Sequence, residues 1–125
     1  MAILEFSRAI EISPGYADAY HNRAATYQRL GRMKEALEGY QKAVYYNPGL
    51  FESHVNMGVI YFEAGDFKEA RKYFENAARL RPGSAEVYFN LGIVNERIGD
   101  IEAAVSNYEK AIALDPAYRR PRGMR

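Results

Sequence analysis

One interval governs this sequence. Residues 51–84 read FESHVNMGVIYFEAGDFKEARKYFENAARLRPGS, and the same punctuation recurs 34 positions earlier and 34 positions later. Gly31, Gly65 and Gly99 fall in register, as do Pro48, Pro82 and Pro116. Ala36, Ala70 and Ala104 coincide, then Ala43, Ala77 and Ala111, and also Asn22, Asn56 and Asn90. A fixed period of this length specifies stacked supersecondary units, each burying its apolar face only against its neighbours.

Within each period the pattern predicts two helices. The segments 17–30, 33–46, 51–64, 67–80, 85–98 and 101–114 contain no proline and are rich in Ala, Leu, Glu, Lys and Arg, which suits helix. The glycines at 31, 65 and 99 suit a helix C-terminus that needs positive φ. Asp66 and Asp100 follow two of them and can cap the next helix. The prolines close each unit. Residues 1–12 form a further helix, with Ile3, Phe6 and Ile10 at helical spacing, stopped by Ser13-Pro14-Gly15. Ala2, Phe6, Ala9 and Pro14 stand one period before Ala36, Tyr40, Ala43 and Pro48, so the chain begins halfway through a unit. We read Met1 as an initiator in front of a cut array; the competing reading is a lone capping helix. The organisation expected is therefore all-α with seven helices. Residues 1–16 hold the second helix of a truncated repeat, and 17–50, 51–84 and 85–118 are three complete repeats. Residues 119–125, RRPRGMR, form a basic tail read as disordered.

Composition narrows the function classes. A hydrophobic fraction of 48% over 125 residues is that of a folded chain. A net charge of +1 argues against a general nucleic-acid binder. The absence of cysteine excludes a disulfide framework and cysteine zinc sites. No apolar run approaches the roughly 20 residues of a membrane span. No signal peptide is visible, because Glu5 and Arg8 interrupt the first apolar stretch, which leaves the cytoplasm as the expected compartment.

The residues at fixed places within the period resemble the tetratricopeptide repeat family, whose consensus sets an aromatic, Leu-Gly and Tyr in the first helix. Here Tyr88 and Leu91-Gly92 stand in the last unit, and Met57-Gly58 and Tyr61 in the middle one. The second-helix pattern of Ala and a later aromatic is matched by Ala36/Tyr40, Ala70/Phe74, Ala104/Tyr108 and, in the half unit, Ala2/Phe6. His54 departs from the aromatic, Arg23-Ala24 from Leu-Gly and Asn95 from Tyr; these changes are expected to loosen single contacts. The resemblance implies a right-handed superhelix of antiparallel hairpins whose first helices line a concave groove. Both ends are expected to expose apolar surface, at Ile3 and Leu4 and at Ile112 and Leu114, and so to favour association between copies.

No catalytic constellation is present in the sequence. There is no phosphate loop, nucleophile elbow or HExxH helix, and no cofactor or metal site is expected. His21 and His54 lack paired ligand spacing, and His54 occupies a packing place. Function is therefore expected on the inner faces of the first helices. Asn22, Asn56 and Asn90 form one row there, and an amide can pair with peptide N–H and C=O groups irrespective of sequence. The row is similar to the asparagine ladder of O-GlcNAc transferase and kinesin light chain arrays; its alternative is capping of neighbouring backbone. Val55, Val59, Phe62, Phe89 and Ile93 form an apolar patch beside it. Glu52 and Glu86 join Asp18, Glu63 and Glu96 against Arg29 and Arg97, an acidic balance that favours a basic or neutral peptide and disfavours RNA. The expected function is a non-catalytic protein-interaction scaffold holding a peptide. The alternatives are the substrate-recognition array of a larger enzyme, such as a glycosyltransferase, and a self-assembling structural array.

Overall fold

The computed structural model describes residues 2–119. The elements are α1 (Ala2–Ile12), α2 (Ala17–Arg29), α3 (Met33–Tyr46), α4 (Phe51–Glu63), α5 (Phe67–Leu80), α6 (Ala85–Ile98) and α7 (Ile101–Leu114), followed by a 3-10 turn over Pro116–Arg119. Among the described residues there is no strand. The tail expected over 119–125 falls, apart from Arg119, outside the described residues.

The helix ends obey the local chemistry. Gly31, Gly65 and Gly99 adopt φ of +81°, +83° and +100°, a region costly for a residue with a Cβ. The following N–H then turns back onto the helix: Arg32 donates to the Tyr27 carbonyl, Asp66 to Tyr61 and Asp100 to Asn95. Asp66 accepts from the Glu69 N–H at 3.3 Å and Asp100 from the Ala103 N–H at 3.2 Å, opening α5 and α7. Ser84 caps α6 through the Val87 N–H, a role the periodicity did not single out. Arg32 offers no cap to α3 and pairs instead with Glu35 at 2.8 Å.

Each helix packs on its neighbours in sequence, so the hairpins α2–α3, α4–α5 and α6–α7 stack in order, with α1 lying on α2. Small residues set the closest approaches. A Cβ placed on Gly58 would lie 2.7 Å from the Phe74 ring, and one on Gly92 2.5 Å from the Tyr108 ring. Phe74 and Tyr40 are almost wholly buried and anchor two adjoining core clusters.

Two departures from the repeat pattern do more than loosen contacts. Asn95 is 3% exposed, donates its amide to Asn107 Oδ1 at 2.9 Å and accepts from Arg71 at 3.1 Å. It ties α5, α6 and α7 together where Tyr61 stacks on Tyr73 one unit earlier. His54 is buried against Tyr73, and its Nε2–H donates to the Pro48 carbonyl at 3.0 Å. At the array ends Leu4 and Leu114 are exposed as expected, while Ile3 and Ile112 are half-buried; Ile12, Ile101 and Val105 add to the exposed apolar surface.

Candidate functional site

Two depressions open along α2, α4 and α6. The first lies between α2 and α4 and is lined by Asp18, His21, Glu52, Ser53 and Arg81. His21 Nδ1 lies 2.6 Å from the hydroxyl of Ser53, which is fully buried, and this hydrogen bond joins the two helices. Burial holds His21 below its ordinary pKa, with Glu52 and then Asp18 opposing the shift. Arg81 sits over the Phe51 ring at 4.1 Å.

The second depression, about 170 Å³, lies between α4 and α6 and is lined by Val59, Phe62, Phe74, Asn90, Ile93 and Val94. Its lining is mostly apolar, and no hydroxyl bridges it. In the first repeat, Tyr40 donates to Gln28 Oε1 at 2.6 Å and accepts from the Asn56 amide at 3.1 Å. This relay links α2, α3 and α4. In the third repeat, Tyr108 donates to Glu96 at 2.7 Å. In the second, Phe74 stands in register with Tyr40 and Tyr108, and Phe62 with Gln28 and Glu96. No relay forms, and a greasy hollow remains with the Asn90 amide at its edge. Among the described residues that amide has no hydrogen-bond partner. The Arg97 guanidinium lies above the rim, 5.2 Å from the Phe62 ring and 5.5 Å from that of Phe67.

The three asparagines are therefore not equivalent. Asn22 is exposed and its side chain makes no hydrogen bond among the described residues; its backbone carbonyl accepts from the Thr26 hydroxyl. Asn56 is half-buried and committed to Tyr40. Asn90 borders the hollow. The apolar patch divides as well. Val59, Phe62 and Ile93 come together, and Val55 packs against the core beneath them. Phe89 turns away to Tyr108 and Tyr118, at centroid distances of 5.6 and 5.0 Å. Glu52 and Glu86 are exposed, the first at the α2–α4 depression. Sequence reasoning took Tyr40 and Phe74 as packing residues and passed over Ser53. The alternation Tyr, Phe, Tyr in register was the available signal for the hollow.

Among the described residues, no group of His, Asp or Glu is placed to hold a metal ion. No described helix is long and apolar enough to cross a membrane.

Comparison with known proteins agrees with this architecture. Tetratricopeptide repeat models match residues 49–117 and 17–50, and a TPR repeat model matches 1–31. No curated relative matches the chain. Among solved structures, the crystal structure of MamA is similar with a TM-score of 0.86 at 24% identity, over 94% of this chain and 69% of that one. A second MamA crystal structure gives 0.83 at 19%, over 98% and 66%. MamA MSR-1 C2 gives 0.77 at 26%, over 92% and 66%. This chain thus spans about two thirds of the length of those chains, and the likeness is one of fold. Seven helices in register among the described residues, the buried alanines and glycines at the crossings and a family model spanning more than half the sequence agree: the chain belongs to the tetratricopeptide repeat family.

Proposed function

We propose that this chain is a non-catalytic interaction module that holds a polypeptide segment of a partner across α2, α4 and α6. The observation that carries the reading is the hollow beneath Val59, Phe62 and Ile93, with an unengaged amide at its edge. An apolar side chain of the segment enters the hollow, and Asn90 pairs with the adjoining peptide group. A hollow of about 170 Å³ suits one aliphatic side chain or ring. Asp18 and Glu52 outnumber Arg81 at the neighbouring depression and favour a basic residue elsewhere on the same segment. Asn22 contributes as an exposed contact, and Asn56 through its carbonyl oxygen and second N–H, one N–H being given to Tyr40.

A cellulose-bound array of unstructured peptides tests this. Wild-type protein is expected to retain peptides sharing one apolar anchor. Phe74→Tyr, which supplies the missing hydroxyl, is expected to weaken them about tenfold, as is Ile93→Asp. Retention of no peptide, or retention unchanged in both folded variants, overturns the reading.

The exposed apolar residues of the terminal helices, Leu4 and Ile12 in α1 and Ile101, Val105 and Leu114 in α7, support a second reading in which copies of the array associate through their ends. Light scattering over a dilution series distinguishes it: a monomeric mass at all concentrations counts against association.

A further inference from the structure

The first repeat is sealed differently from the other two, and the difference opens a crevice. Gly39 stands in register with Tyr73 and Asn107. In the second repeat the Tyr73 ring lies between two rings of α4, 5.7 Å from Tyr61 at an interplanar angle of 5° and 6.1 Å from His54. In the third, Asn107 holds the place and bonds to Asn95. In the first, Gly39 contributes no side chain between the corresponding residues, Tyr20 and Tyr27. The cause is an exchange of the small residue between helices. Ala24 replaces the glycine found at 58 and 92, and a Cβ on Gly39 would lie 2.8 Å from the Ala24 methyl. The close approach is preserved, and the filler of the space beside it is lost.

What remains is an open crevice of about 790 Å³ between α2 and α3, bordered by Tyr20, Tyr27, Tyr46, Arg23, Glu38 and Lys42. That volume lies in the range of ligand-holding clefts, roughly 300–1,000 Å³. Tyr46 stacks on Tyr20 at 5.7 Å, and Arg32 lies 5.0 Å from the Tyr27 ring without lining the crevice. Arg23, Lys42, Glu35 and Glu38 all line it, with Arg23 bonded to Ser7 and Glu35 paired with Arg32, so the walls carry charges of both signs and select neither an anion nor a cation.

We infer that this crevice is a second interaction site and that its occupant is an aromatic side chain, Tyr or Phe, carried by a partner polypeptide. The next repeat supplies the argument: a ring occupies the equivalent space there and stacks nearly parallel on the residue equivalent to Tyr27. An offset-stacked ring gains more from such walls than an aliphatic group of equal area. The balanced charges suit an uncharged ring flanked by polar backbone. The crevice shares no lining residue with the hollow between α4 and α6, so this inference stands independently of the peptide reading above.

The test is an NMR titration of the whole chain with N-acetyl-tyrosinamide, and with N-acetyl-leucinamide as the aliphatic control. The tyrosine probe is expected to shift the Tyr27 and Gly39 resonances saturably, with the leucine probe roughly two- to tenfold weaker. The double variant Ala24→Gly/Gly39→Tyr rebuilds the second repeat's arrangement and fills the crevice from within. It is expected to lose the response while melting at or above wild type. Tyr27→Leu, which removes a wall without adding an atom, is expected to lose it as well and keeps the test decisive if the double variant does not fold. Equal response to both probes, or shifts that persist in the folded variants, overturns the inference. So does a response centred on Val59 and Ile93. Crevice shifts that grow with protein concentration alone would give the site to a second copy and overturn its assignment to a partner.

Discussion

The Asn56 amide reaches from α4 to donate to the Tyr40 hydroxyl of α3 at 3.1 Å, and the same hydroxyl donates to Gln28 at 2.6 Å. One side chain thus joins two repeats. Burial raises the Tyr40 pKa, so the hydroxyl stays protonated and able to donate at neutral pH. Tyr40→Phe removes both bonds and leaves two half-buried amides short of a partner. It is expected to cost about 1–3 kcal/mol in urea unfolding. A loss near zero would show that water replaces the hydroxyl without penalty.

The glycines at the helix crossings are predicted to differ in tolerance. Gly58→Ala pushes a methyl against Phe74, which is buried and can shift only into the small hollow it lines; Gly92→Ala meets Tyr108, which is half-buried and can swing outward. The expected cost is about 1–3 kcal/mol at Gly58 and less at Gly92. Denaturant midpoints of the two variants check the order.

Stability is expected to fall in mild acid. Burial lowers the pKa of both His54 and His21. With the His54 Nε2–H given to Pro48, protonation would place a second N–H at Nδ1, which is buried without a partner. Both folded-state values lie below the unfolded one, about 6.5. As pH drops through that value the unfolded chain takes up protons first, so stability is full above it and declines below it, down to the folded-state values. The urea midpoint should therefore drop between about pH 7.5 and about pH 5.5. His54→Tyr, the residue type found at positions 20 and 88, should remove part of that slope. An unchanged slope would locate the effect at other groups.

Helix capping gives a further pair of expectations. Asp66→Ala and Asp100→Ala each delete a side-chain cap and are expected to cost about 1 kcal/mol. Arg32→Asn installs a cap worth about 1 kcal/mol where α3 has none but forfeits an exposed ion pair and the contact with the Tyr27 ring, each worth about 0–1 kcal/mol, so a net change near zero is expected. Thermal melts of the three variants read the sign directly.

The sequence by itself determined the helices and their order. Seven helices lie where the glycines, prolines and alanines place them, within a residue at the ends of α2 and α4. Those residues act through their own backbone or at the nearest helix, over distances the chain can encode locally. The inner-face residues were also legible as a list. Only tertiary structure decided their roles. Whether an amide on that face is free depends on a hydroxyl from another helix: Tyr40 engages Asn56, and Phe74 leaves Asn90 unpaired. Phe89 left the patch because Tyr108 and Tyr118 offered it rings to pack against. The crevice beside Gly39 exists because Ala24, on the facing helix, takes the closest approach. Each outcome is a relation between side chains distant in sequence, and close packing of the assembled helices fixes it where the period of either helix alone does not.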